Sequence, residues 1–230
     1  MFEQFFLSVQ QDLKLFLCLP VLCAFFRAVF IAVHKPYPSL KGKQKALFHC
    51  FRFGFWWGMD INAYMILLSL LLVTLPGLFF STWEQLGNDV RIAIGLVYSV
   101  ILYLAFVGKM IFYAQFHDIF NNIVFLGEKA EKNNLIDVFF NQDHGARKLL
   151  LLIPYIAISY FFLKGMLSLP SVPYPHLYGV AYYGFNILVV LSLVALFYYC
   201  RYGVTFLHDN KPEWDTIPAV VKEEPFLSKA

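Results

Sequence analysis

Residues 61–83, 92–108 and 165–200 contain no Asp, Glu, Lys or Arg. Apolar residues within these runs fall on every helical face, which fits burial in lipid and not the one-sided stripe of a surface helix. Two more apolar runs, 13–33 and 149–169, are broken only by Lys14 and Arg27 and by Lys164. A helix needs about 20 apolar residues to cross the roughly 30 Å hydrocarbon core of a bilayer. The pattern therefore predicts membrane helices over about 13–33, 61–80, 92–113, 149–169 and 178–200. Only helices and closed barrels satisfy the backbone in lipid, and the ten-residue alternation of a barrel is missing. The expected fold is all-α, a polytopic bundle of about five transmembrane helices.

The segments between the spans add short interfacial helices. In residues 1–11, Phe2, Phe5, Phe6 and Val9 fall near one face, as in a helix lying on a membrane. Residues 46–60 (ALFHCFRFGFWWGMD) are too aromatic for an exposed loop and too polar for a span, and the pair Trp56-Trp57 suits the headgroup level. The first loop is basic, with Lys35, Lys41, Lys43, Lys45 and a Pro36-Tyr37-Pro38 turn. Residues 81–91 read as a short loop. Residues 114–148, the longest connection, mix aromatics with Asn, Asp and Glu and suggest an amphipathic helix on the membrane. Pro170, Pro173 and Pro175 reverse the chain before the last span. Pro76 near the end of span 2 frees a carbonyl that a neighbour must satisfy. The organisation expected is a five-helix domain over 1–200 and a linker or tail over 201–230. No internal repeat marks an inverted-repeat transporter.

Composition agrees and narrows the class. Of the 230 residues 60% are hydrophobic and 14% charged, against about 45–50% and 25% in soluble domains. Mean hydropathy is +0.62. A disordered chain and a nucleic-acid binder are excluded, and a net charge of +3 names no partner. Cys18, Cys23, Cys50 and Cys200 show no CxxC pair and read as small hydrophobes. The first basic residue is Lys14 and no small-residue cleavage site follows, so the first apolar run reads as an uncleaved span. Most Lys and Arg lie in the first loop, the third connection and the tail, which the positive-inside rule places in the cytoplasm.

No catalytic constellation appears. The six histidines are scattered without HxH or HExxH spacing, and no phosphate-binding glycine loop is present. No catalytic and no metal-ligating residue is expected. Gly54 and Gly58 have the small-xxx-small spacing that seats one helix on another. The informative residues are charges at membrane depth, which are costly and therefore paired or functional. Arg27 and Lys164 lie near span ends, within snorkelling reach of the headgroups. Asp60 cannot snorkel far and needs a donor, with Arg52 or Arg27 the nearest in sequence. Lys109 shares a helix face with Tyr113 at i, i+4, and Gln115, His117 and Asp118 continue a polar mouth beyond it. Arg27, Arg52, Asp60 and Lys109 are the candidate ion-pair or lipid-headgroup residues.

The order of these features resembles the N-terminal membrane region of lipoteichoic acid synthase-like phosphoglycerol transferases, members of the sulfatase-like, alkaline phosphatase superfamily. Phe26-Arg27-Ala28-Val29-Phe30 is similar to that family's Arg-x-x-Phe. Phe55-Trp56-Trp57-Gly58-Met59-Asp60 resembles its Gly-x-x-x-Asp approach to the second span, where an Arg-Phe-Asp run is common; that Arg is absent here. Residues 113–122 (YAQFHDIFNN) are similar to its aromatic–polar stretch after the third span. Arg201-Tyr202-Gly203, Pro218 and residues 224–230 (EPFLSKA) resemble the linker into its catalytic domain.

The resemblance implies a membrane anchor in the bacterial cytoplasmic membrane. It also implies a lipid-linked phospho-donor, and a divalent metal and threonine nucleophile carried by a domain beyond the linker, outside this chain. Membrane lipids are the expected partners, and no nucleic acid. It further implies a cytoplasmic N-terminus and an external tail, opposite to the positive-inside count. The charge-balanced third connection, with Glu128, Glu131, Asp137 and Asp143 beside its bases, favours the topology that the resemblance implies. The alternatives from the residues alone are a small transporter and a non-catalytic membrane scaffold.

Overall fold

The computed structural model describes residues 1–34, 40, 42–118, 140, 144–202, 221 and 223–230. Among them 86% are helical and none is in a strand. The elements are α1 (Phe2–His34), α2 (Gln44–Gly77), α3 (Ser81–Phe116), α4 (Gly145–Leu167), α5 (Val180–Tyr202) and the short α6 (Pro225–Lys229). Five of these helices are long and apolar enough to cross a membrane.

The spans fall where the apolar runs lie, but the elements around them are longer. Residues 2–11 are the first turns of α1 and not a separate surface helix. Residues 46–60 continue into the second span as one helix. Residues 81–91, expected as a loop, are the start of α3, so the α2–α3 connection is only 78–80. The reason is physical. Water-facing turns of a membrane helix keep their own backbone hydrogen bonds, so a polar stretch beside a span need not leave the helix. Of the connection 114–148, where an amphipathic helix is expected, 114–116 end α3 and 145–148 begin α4; 119–139 and 141–143, the Pro36–Pro38 turn and the tail from Gly203 to Pro218 lie outside the described residues.

α1 is the central helix and packs against α2, α3 and α4, while α5 packs on α2. Leu15 and Cys18 of α1 meet Ile92 of α3 and Leu163 and Leu167 of α4. Gly95 allows this close approach, since a Cβ there would lie 2.8 Å from Leu163 and 3.0 Å from Leu15. Phe16, Ala63, Ile66 and Cys200 join α1, α2 and α5. Near the other end, Phe26 packs with Tyr103 and Val107, and Tyr155 leans against both rings. The outward faces stay apolar. Leu17, Val21 and Phe25 of α1, Val97 and Ile101 of α3 and Ile153, Ile158 and Phe161 of α4 are all exposed. In water such a surface would be an aggregation liability, whereas lipid covers it at no cost.

α2 carries one irregularity. Leu70–Thr74 forms a π-helical turn, with the Leu75 amide donating to the Leu70 carbonyl. Just beyond it, Pro76 has no amide hydrogen to give the Leu72 carbonyl. The indole Nε1 of Trp83 supplies one instead at 2.6 Å, which is the rescue that a proline in a span requires.

Candidate functional site

The ends of the bundle carry different polar sites. At the end with residues 1–8 and 168–179, Asp12 of α1 is 1% exposed and Arg91 of α3 is 3% exposed. Arg91 Nε donates to Asp12 Oδ1 at 2.7 Å. Ser69 donates to the same oxygen at 2.6 Å, and Thr74 donates to Asp12 Oδ2 at 2.5 Å. Arg91 Nη2 reaches Ser8 Oγ at 2.6 Å and Thr74 Oγ1 at 3.0 Å. The π turn makes this set possible. Five residues apart in an α-helix, Ser69 and Thr74 would be separated by about 140°; in a π turn, where bonds run i to i+5, they stack on one face.

Sequence reasoning missed this site. Asp12 sits just before the predicted first span and Arg91 just before the third, so both read as boundary charges. The available signal was their position: each lies one residue outside a long apolar run, on helices that would have to extend for the two to meet.

At the opposite end, Arg27 and Lys109 face one cavity of about 330 Å³, lined also by Phe26, Phe30, Gly54 and Phe106. Arg27 does not snorkel outward. Its guanidinium lies on the bare face of Gly54, where a Cβ would collide with it. Gly54 thus makes room for a side chain, while Gly58 has nothing within 4 Å of where its Cβ would stand. Lys109 Nζ lies 4.5 Å from the centroid of the Phe30 ring, a cation–π contact. Both cations donate to the main-chain oxygen of Ala230, which in this chain is a carboxylate oxygen, Arg27 Nε at 3.4 Å and Lys109 Nζ at 2.8 Å. Among the described residues neither pairs with an Asp or Glu side chain.

The tail closes over this end. Leu227 and Val221 are buried with Phe30, Cys50 and Tyr113. Lys43 pairs with Glu224 at 2.6 Å and Lys229 with Asp118 at 3.2 Å. The polar mouth expected after Lys109 is therefore largely occupied: Tyr113 is turned into an aromatic cluster with Phe30, His34 and Phe226. His117 adopts a left-handed conformation that ends α3.

The other two candidates stand apart. Asp60 pairs with Arg201 of α5 at 3.0 Å, and not with Arg52 or Arg27. Arg201 also donates to the Tyr64 hydroxyl at 2.8 Å. Its position at the far end of the chain hid this partner from local sequence reading. Arg52 is exposed and joins neither cluster. Lys164 is exposed beside the Tyr160 ring. Cys18, Cys50 and Cys200 are buried and, among the described residues, in no disulfide. Among the described residues no three His, Cys, Asp or Glu side chains come together to hold a metal.

Fold and sites together define a multi-pass α-helical membrane protein with a buried ion pair at one end and a cavity bearing two cations at the other. No family model, no curated protein and no solved structure matches the chain.

Proposed function

We propose that this chain is the membrane-anchor region of a bacterial envelope phosphoglycerol transferase-like enzyme, set in the cytoplasmic membrane, and that Arg27 and Lys109 hold the phosphate of a lipid headgroup. The observation that supports the headgroup role is the pair of cations in one cavity without an Asp or Glu partner among the described residues. Two like charges at membrane depth repel and are poorly solvated. An anion between them relieves both costs. At an effective dielectric near 20, one cation 4 Å from a phosphate oxygen gains about 4 kcal/mol before desolvation. The aromatic wall of Phe26, Phe30 and Phe106 suits the apolar part of a lipid.

Arg27 would form a fork of two charge-assisted hydrogen bonds, and Lys109 a point contact. The ordered tail at the same end would carry the headgroup site toward a following domain. That domain would supply the metal and the nucleophile; no residue of this chain is assigned to either. A polar transport path has less support, because Leu15, Phe16 and Leu19 of α1 are packed tightly between its two polar ends.

Two tests apply. An immunoblot of native membranes with an antibody to residues 119–139 should show a product well above 26.7 kDa; a band at that mass would count against the anchor reading. In the larger enzyme, Arg27→Gln with Lys109→Gln should lower turnover of a bilayer-embedded donor at least about tenfold, the equivalent of 1.4 kcal/mol. Hydrolysis of a water-soluble phosphodiester should stay unchanged. Equal loss on both substrates would contradict a headgroup role.

A further inference from the structure

The network at Asp12 borders a second cavity that the proposed anchor role does not use. It measures about 300 Å³ and lies between the start of α1, the end of α2 and the start of α3. Its polar lining includes Ser8, Gln11, Thr74, Asn88, Arg91 and Ser171, with Gly77 and Gly87 leaving space. Among the described residues no acidic side chain lines it. We propose that this cavity binds the oxygens of a phosphodiester, with the Nη1 edge of Arg91 and the Asn88 amide as donors and Asp12 as the positioning residue behind Arg91.

The hydrogen-bond inventory leads to this. A guanidinium has five N–H donors and no acceptor. In Arg91, Nε is taken by Asp12 and Nη2 by Ser8 and Thr74. Nη1 makes one contact, to Asn88 Oδ1 at 3.3 Å, and so keeps a hydrogen for the cavity that Arg91 lines. Because Asn88 accepts through Oδ1, its amide nitrogen stands on the other side of the group as a further donor. Thr74 and Ser69 direct their hydroxyl hydrogens at Asp12, so Asp12 is saturated and turned away from any ligand. The result is a fixed donor edge, held by a buried carboxylate, facing a cavity that no acidic side chain lines among the described residues.

Charge favours a monoanion. Arg91 is neutralised by Asp12, while Lys14 stands at the rim, donating to the Leu169 carbonyl at 2.5 Å and to Ser171 Oγ at 3.2 Å. A Gly87 side chain would intrude here, its Cβ lying 2.9 Å from Val73 and 3.3 Å from Arg91 Nη1. A phosphodiester can come from a membrane lipid at this end of the bundle or from a free glycerol phosphate ester.

The test uses the whole chain in detergent micelles, with Arg27→Gln and Lys109→Gln already in place so that the opposite cavity does not report. Dihexanoyl phosphatidylglycerol and, in a separate arm, soluble glycerophosphoglycerol are titrated and followed by native mass spectrometry. One bound molecule per chain is expected in at least one arm. Binding of the lipid alone assigns the site to membrane lipid, and binding of both assigns it to the phosphodiester itself. Asn88→Leu, at an exposed position that folding should tolerate, should weaken binding at least tenfold with an unchanged melting temperature. Equal binding by the parent and Asn88→Leu, or no binding by the parent in either arm, overturns the proposal. Failure here leaves the Arg27–Lys109 reading standing, since those residues are absent from every protein compared.

Discussion

At the scale of single residues, the two arginines at opposite ends of the bundle have opposite surroundings. Arg91 is held in a buried set with Asp12, Ser8 and Thr74, whereas Arg27 rests on a glycine and the main-chain oxygen of Ala230. Removing one partner of a buried pair strands the other charge, at about 3–5 kcal/mol. Asp12→Ala should therefore lower unfolding stability in detergent by that amount, and adding Arg91→Met should recover part of it; additive losses would show that the pair is not coupled. Gly54→Ala acts differently. Its Cβ meets first the far end of Arg27, which swings away, so melting should barely change while anionic-lipid binding falls. Gly58→Ala faces open space and should leave binding intact, with helix propensity adding up to about 1 kcal/mol. Equal effects of the two substitutions would contradict the role given to Gly54.

At the scale of elements, α2 shows how an irregular turn serves a polar contact. The π turn stacks Ser69 and Thr74 over Asp12. Deleting Leu71, half exposed at 50%, would leave these residues four apart in a plain α-helix, still on one face. The shortened protein should melt within a few degrees of the parent. Inserting an alanine after Leu71 rotates Thr74 by about 100° and should lower the melting temperature clearly; tolerance of the insertion and not the deletion would refute this. Trp83→Phe leaves the Leu72 carbonyl without its donor and should cost about 1–3 kcal/mol.

The spans were legible in the sequence because lipid demands long apolar runs. The π turn was not, because residues 70–74 (LLLVT) carry no local mark of it. The helix ends were misplaced for a related reason. Charge ends an apolar run, but it does not end a helix.

At the scale of the whole molecule, α1 organises both sites. Its 33 residues rise about 50 Å, against a hydrocarbon core of about 30 Å. Each end thus projects about 10 Å into a headgroup layer if the helix is centred. Arg27 then lies near one boundary and Asp12 within about one turn of the other. Tight apolar packing of Leu15, Phe16 and Leu19 separates them. The candidate charges were partly legible: Arg27 and Lys109 stand out as cations within spans, and both line one cavity. Their meeting across α1 and α3, like that of Asp60 with Arg201, depends on helix packing that no local pattern specifies.

If the Arg27–Lys109 cavity holds an anionic headgroup, the number of lipids that stay with the chain reports it. The chain would be released from nanodiscs containing equal phosphatidylglycerol and phosphatidylcholine, and its retained lipids weighed by native mass spectrometry. The account predicts a retained phosphatidylglycerol that disappears in the Arg27→Gln, Lys109→Gln protein, so that the double variant carries one anionic lipid fewer than the parent. The same lipid count and the same preference in both proteins would contradict it.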